Sequence, residues 1–144
     1  MSFYEYDHGK EYMAHLAHDS DLMLAVTEIA KHNGIKVGSF TAIGALKNAK
    51  FGYYDQQKHE YQEIEYDRHC EIACCIGNIS LKDNEVFVHA HVVLSDDRGN
   101  TVAGHMLEGT VFAAEVHLRE LIGPGLERKY DDVTGLSLWG IKEE

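Results

Sequence analysis

Three histidines have the residue type and the spacing needed to bind a transition metal. His89 and His91 flank Ala90 in residues 86–94, whose even-numbered positions are all apolar. Because side chains alternate between the two faces of a strand, both imidazoles lie on the face opposite this apolar row. Two imidazoles that are two positions apart on one strand can reach the same ion.

A third histidine, His105, lies on the strand predicted to follow. A hairpin that is symmetric about Arg98 places His105 directly opposite His91, with Cβ atoms roughly 5 Å apart. This register is assumed, because a slip of one residue would turn His105 to the other face. Three neutral imidazoles suit zinc or another divalent transition metal and leave one position for water or a substrate. The alternative is that the trio packs polar side chains at a subunit interface.

Three nearby residues are candidates to support such a site. Glu71 is predicted to share a strand face with Cys75 and could be a fourth ligand, an acceptor that orients a ligand, or a general base. An ion pair with Arg68 would equally explain Glu71. Asn78 could orient a ligand or belong to a turn, and Gly104 leaves room beside the site for another backbone or a ligand.

The elements that must position these residues are mostly strands. Leu22, Val26 and Ile29 have helical spacing, Asp19 or Ser20 offers an N-cap, and Asn33-Gly34 can end the helix, so we predict a helix over residues 20–32. A period of two then predicts strands, and a last one is expected near the C-terminus. The predicted strands cover residues 13–17, 36–43, 46–54, 59–66, 71–80, 86–94, 101–107, 110–121 and 136–141.

Composition limits the class of protein. The 144 residues, 44% of them hydrophobic, suit a single domain over residues 1–144. No apolar stretch approaches 18 residues and the N-terminus is acidic and aromatic, so we expect a cytoplasmic protein with no membrane partner. The net charge of -11 disfavours nucleic acid as a partner, because phosphate contacts depend on Lys and Arg. Three cysteines, Cys70, Cys74 and Cys75, suggest no disulfide framework.

Taken together, the blocks of sequence resemble the PPC (plants and prokaryotes conserved) domain family. The matching blocks, in the family's order and covering nearly the whole chain, are residues 38–46, Glu71-Ile72 with residues 77–80, residues 88–91, Gly104-His105 with Glu108-Gly109, Glu115-Val116, and Arg128 with residues 134–136. Ala103 departs from the pattern, since the family more often has two glycines before the histidine. This departure should not remove the ligand.

The resemblance implies an α+β fold, mostly antiparallel sheet, with one main amphipathic helix and short helical segments. It implies a homotrimer, and it implies that His89, His91 and His105 are the metal ligands, as in the prokaryotic members that bind a metal. Among the matching positions, Asn78, Gly104 and Arg128 are candidate ligand-binding residues. Single-domain prokaryotic relatives are often labelled DNA-binding by analogy with plant proteins that carry AT-hooks, which this sequence lacks.

Three functions follow from these observations. The first is a zinc-type metal-binding protein that acts on or senses an unknown small ligand, and the sequence leaves open whether it is an enzyme. The second is a DNA-binding or regulatory protein, which the charge and the missing AT-hook disfavour. The third is a trimer that recruits other proteins without catalysis.

Overall fold

The computed structural model describes residues 3–141, which form eight strands and one helix. In chain order the elements are β1 (Asp7–His15), α1 (Leu22–His32), β2 (Gly38–Asp55), β3 (Glu60–Tyr66), β4 (Cys70–Lys82), β5 (Glu85–Ser95), β6 (Thr101–Ile122), β7 (Leu126–Asp131) and β8 (Leu136–Ile141). The strands join in one sheet of order β3-β2-β6-β5-β4-β7-β8, with β1 paired to β6.

Four strands of this sheet close into a ring. β2 pairs with β6, β6 with β5, β5 with β4, and β4 returns to β2, each time antiparallel. The ring encloses the apolar side chains that alternate along each strand, among them Phe40, Val92, Leu94, Val111 and Leu118. Burying one face of every strand in this way is the main stabilising term of the fold.

The predicted α+β class with short helical segments is wrong. Strands make up 67% of the structure, and α1 is the one helix found within residues 3–141. The polar segment after Gly123-Pro124-Gly125, which none of the predicted strands covers, forms β7. The final strand is where the sequence predicted it, at Leu136–Ile141.

Two pairs of predicted strands are in fact single long strands. β2 runs through the expected break at Gly44, and β6 runs through the expected break near Gly109. At Gly44 the backbone has φ 138°, a conformation open in practice only to glycine. Register shifts beside Gly44 let β2 bend while it pairs with β4 on one side and β6 on the other.

The helix has the predicted span but a different N-cap. Asp21, rather than Asp19 or Ser20, caps it: its Oδ1 accepts a hydrogen bond from Leu24 N at 2.8 Å. Its second oxygen, Oδ2, accepts one from Gly109 N on β6, also at 2.8 Å. One carboxylate therefore satisfies a donor of the helix and a donor of the sheet.

Asp21→Ala is expected to lower the free energy of unfolding by about 2 kcal/mol, because it leaves both of these backbone donors without their acceptor. Ser20→Ala removes only a hydroxyl that donates to Ala17 O and is expected to cost about 1 kcal/mol or less. Urea denaturation of both variants measures the difference. Equal losses would contradict the assignment of the cap to Asp21.

No helix in the described part of the chain is long and apolar enough to cross a membrane.

Candidate metal centre

The hairpin register that the sequence required is present. β5 and β6 pair with His91 opposite His105, and the register continues through Val92–Gly104 to Ser95–Thr101. The turn between them is held by Asp96, whose Oδ1 accepts hydrogen bonds from Arg98 N and Asn100 N at 2.9 Å. Because the register is not slipped, His105 lies on the same face as His89 and His91.

These three residues form what we call the three-histidine cluster. One ring nitrogen from each residue lies within 4.8 Å of those of the other two. The ring centroids are 5.2 Å apart for His89–His91, 4.9 Å for His89–His105 and 5.7 Å for His91–His105. A tetrahedral ion with nitrogen ligands at about 2.0–2.1 Å needs nitrogen atoms closer together than this upper limit. Small rotations of the imidazoles would supply the difference.

The cluster lies where two strands separate. The β5–β6 pairing ends at His91–His105, after which β6 pairs with β2, beginning at Gly52–His105. His89 continues along β5, paired only with Asn78 of β4. The three imidazoles thus line a fork between strands, half-buried at His89 and His105 and exposed at His91.

The surroundings favour the neutral form of His89 and His105. Burial, with the nearby charges of His105, Arg128 and His91, lowers the pKa of His89 to about 4. Burial and the charges of His91 and Arg128 also lower the pKa of His105. Neutral imidazole is the form that coordinates metals, so at pH 7 His89 has no proton to lose before binding an ion.

A buried nitrogen of His105 also fits a metal. Nδ1 of His105 is buried and makes no hydrogen bond within residues 3–141. A buried polar atom left unpaired costs about 1–3 kcal/mol. Three imidazoles, two of them with a lowered pKa, and an unpartnered ring nitrogen are together a suitable donor set for a transition metal.

Tyr61 is a residue of this site that the sequence did not reveal. Its ring lies 4.9 Å from that of His105, centroid to centroid, although Tyr61 is on β3, two strands away from β6, which carries His105. Gly52 makes this possible, since a Cβ there would lie 3.0 Å from Tyr61 Cδ1. The only sequence signal was Gly52 itself, a glycine within a strand.

Arg128 and Asn78, two predicted ligand-binding residues, lie together beside the cluster. Nη2 of Arg128 donates to Asn78 Oδ1 at 2.9 Å, and Asn78 is the cross-strand partner of His89. Nε of Arg128 donates to Ser80 Oγ at 2.9 Å and Nη1 to Ser137 O at 3.0 Å. These bonds hold the guanidinium against the face that carries His89.

Two aromatic rings pack against the guanidinium of Arg128. Its guanidinium carbon is 5.0 Å from the ring centroid of Phe87 and 5.5 Å from that of Trp139. Both contacts are within the range of a cation–π interaction. Phe87 shares its strand face with His89, so Arg128, Phe87 and the cluster belong to one surface.

The other two predicted site residues are Glu71, which lies away from the histidines, and Gly104, which allows the close approach of another backbone as predicted. Glu71 is exposed and pairs with Ser95, at the opposite end of β4 and β5 from Asn78–His89. A bulge between Ile72 and Cys74 also removes Glu71 from the face of Cys75, so its predicted role at the histidines has no geometric support. Gly104 admits the neighbouring strand, since a Cβ there would lie 2.7 Å from Gly52 O.

Comparison with known proteins places the chain in a family. The family profile of the Plants and Prokaryotes Conserved (PCC) domain, the PPC domain of the sequence analysis, matches residues 4–122. A search of curated proteins gives no match.

Solved structures with the same fold cover almost all of the chain. A metal-containing protein from Archaeoglobus fulgidus has a TM-score of 0.94 and 40% identity, over 96% of this chain and 99% of its own. A plant- and prokaryote-conserved protein from Pyrococcus horikoshii has a TM-score of 0.93 and 38% identity, over 100% of both chains. A Bacteroides thetaiotaomicron protein thought to bind DNA has a TM-score of 0.85 and 23% identity, over 94% of this chain and 97% of its own.

Proposed function

This chain belongs to the Plants and Prokaryotes Conserved domain family, and on that premise we propose that it is a transition-metal-binding protein whose three-histidine cluster holds a zinc-type ion. The metal leaves a coordination position open to a small ligand. The observation that carries the proposal is the convergence of three ring nitrogens within 4.8 Å on one half-buried face. The Archaeoglobus relative, described as metal-containing, supports it.

The chemistry of the residues agrees with this function. His89, His91 and His105 are the ligands, and burial lowers the pKa of His89 and that of His105, which favours their neutral, coordinating form. A bound zinc ion supplies a Lewis acid and, with water in the open position, a water of pKa about 7. Whether the protein catalyses a reaction depends on which ligand enters the open coordination position.

His105→Ala is expected to reduce bound metal from about one ion per chain to a small fraction of that, because two imidazoles alone hold an ion weakly. The measurement is elemental analysis of untagged protein after dialysis against a defined zinc solution. His117→Ala is the matched control: His117 is on the same strand, but its Nε2 contacts Glu11 Oε2 on the protein surface, at 2.7 Å. Equal metal in His105→Ala and His117→Ala would refute the assignment.

We propose further that the protein works as a cytoplasmic homotrimer. An apolar surface supports self-association: Met13, Ile43, Ile76 and Phe112 are each more than half exposed. Met13 on β1 and Ile76 on β4 lie in one row that crosses four paired strands. Between them in this row are His117 of β6 and Thr41 of β2. Exposed apolar side chains on one face of a sheet can serve as an interaction site.

DNA binding is the weaker candidate. The chain carries 24 acidic against 13 basic residues, and a trimer would triple this excess of negative charge. Phosphate contacts supply most non-specific affinity for DNA, and a surface of like charge opposes them.

A further inference from the structure

We propose that the open coordination position takes an oxyanion, a carboxylate or a phosphoryl group, and that Arg128 binds a second oxygen of the same group. This inference rests on the proposed function, since it requires a metal in the three-histidine cluster. It adds the chemical class of the ligand and a specificity-determining residue.

The first support is the way in which Arg128 is fixed. Three of its five N–H groups are used by Ser80, Asn78 and the backbone of Ser137. No other bond from this guanidinium is found in residues 3–141, so two N–H groups remain for a ligand. A guanidinium that is already ordered loses little entropy when its remaining N–H groups donate to an oxygen of the ligand.

The second support is uncompensated positive charge. A divalent ion on three neutral imidazoles keeps its full charge of +2, and Arg128 adds one more. No described carboxylate joins the cluster, which consists of His89, His91 and His105 alone. In a chain of net charge -11, this face is therefore locally electropositive and selects an anion.

The third support is that aromatic rings lie beside both the three-histidine cluster and Arg128. Tyr61 packs on His105, while Phe87 and Trp139 lie beside Arg128. Tyr61 and Trp139 are 42% and 46% exposed, so their rings can offer apolar surface to a ligand that binds near the cluster and Arg128. The site thus suits an oxyanion attached to a compact apolar body.

The test uses full-length protein loaded with cobalt(II), whose visible spectrum changes when a ligand enters the coordination sphere. Benzoate and inorganic phosphate are the two oxyanion probes, and imidazole is the neutral probe. Arg128→Gln is expected to weaken both oxyanions, or the one that the site prefers, by roughly 10- to 100-fold. Imidazole affinity should change by less than about twofold. The stronger of the two wild-type affinities identifies the carboxylate or the phosphoryl group as the preferred source.

Lys129→Gln is the matched control, because it removes one positive charge from the neighbouring, exposed position of β7. It should leave all three affinities unchanged. If Arg128→Gln does not fold, Arg128→Lys keeps the charge without the planar fork, and a loss of roughly 3- to 10-fold is expected for the oxyanions alone.

Three results would overturn the inference. Equal oxyanion affinities in the Arg128 and Lys129 variants would do so, as would wild-type binding of both oxyanions no tighter than chloride. In either case cobalt(II) still binds, and the proposed function survives. Failure of the wild-type protein to bind cobalt(II) or zinc would instead remove the proposed function, and the inference with it.

Discussion

Zinc at about 1,000 times its dissociation constant is expected to raise the melting temperature of this protein by roughly 10–15 °C. A ligand that binds only the folded state stabilises it by about 4 kcal/mol at that excess, and a chain of this size gains roughly 3 °C for each kcal/mol. The unfolded chain has no preformed site, so the binding free energy becomes folding free energy. Differential scanning calorimetry with and without zinc measures the shift.

His91→Ala should abolish most of this shift. His91 is the exposed member of the cluster, so its removal costs little packing and the metal-free melting temperature should hardly change. His117→Ala should retain the full shift, because His117 is not in the cluster. A zinc-dependent shift of the same size in His91→Ala would show that zinc binds elsewhere.

Gly44→Ala is expected to lower the free energy of unfolding by roughly 3–6 kcal/mol, a large part of the stability of a typical domain. The backbone at Gly44 has φ 138°, where an L side chain is strained. A Cβ there would also lie 2.2 Å from Ala113 O and 2.7 Å from Ala114 Cα. Both obstacles are backbone of β6, which cannot move without breaking its pairing with β2.

Gly99→Ala separates the two causes of this loss, which are the strained backbone conformation and the clash of the new Cβ with β6. Gly99 also has a positive φ, 78°, but a Cβ there would meet nothing within 4 Å. Gly99→Ala is expected to lower the free energy of unfolding by only about 1–2 kcal/mol, because backbone strain is its only cause. Urea denaturation of both variants gives the difference; if Gly44→Ala lost no more than Gly99→Ala, the close approach of β2 and β6 at this point would be wrong.

The three-histidine cluster could be predicted because its geometry is local. Alternation along one strand placed His89 and His91 on a common face, and a short hairpin placed His105 opposite His91. Each step depends on a period of two and on the length of one turn, which the sequence contains directly.

The surroundings of the cluster could not be predicted in the same way. Tyr61 reaches His105 only because β3 joins the sheet through β2 and Gly52 lets its ring approach. The hydrogen bonds of Arg128 to Asn78 and Ser80 join residues about 50 positions apart. Both β3 and β7 lie outside the ring and join it only through β2 and β4, and no local pattern in the sequence encodes such pairings. Glu71 lies on a different face of β4 from the one predicted, and the cause is local: a bulge between Ile72 and Cys74 reverses the alternation of faces.

The α+β class came from the resemblance and was wrong because α1 is the one helix within residues 3–141. Some strand boundaries were wrong for a local reason. Gly44 and the residues near Gly109 were read as breaks between strands, since glycine commonly ends an element. In the structure they are points where long strands bend or pack closely without ending. The segment after Pro124 has charged residues that resemble a loop, yet it gains a place in the sheet by pairing with β8 and touching β4.

The hairpin of β5 and β6 has a consequence for the order of folding. Residues 91–105 need to close only a short loop to bring His91 opposite His105, and hairpins of this kind form in about 1–10 microseconds. The β2–β6 pairing must instead join residues 38–52 to residues 105–120, a closure that is slow because so much chain lies between them. His91 and His105 can therefore be in register while the ring is still open. On the proposed function, two of the three histidines that would hold the metal are paired before the core of the protein is complete.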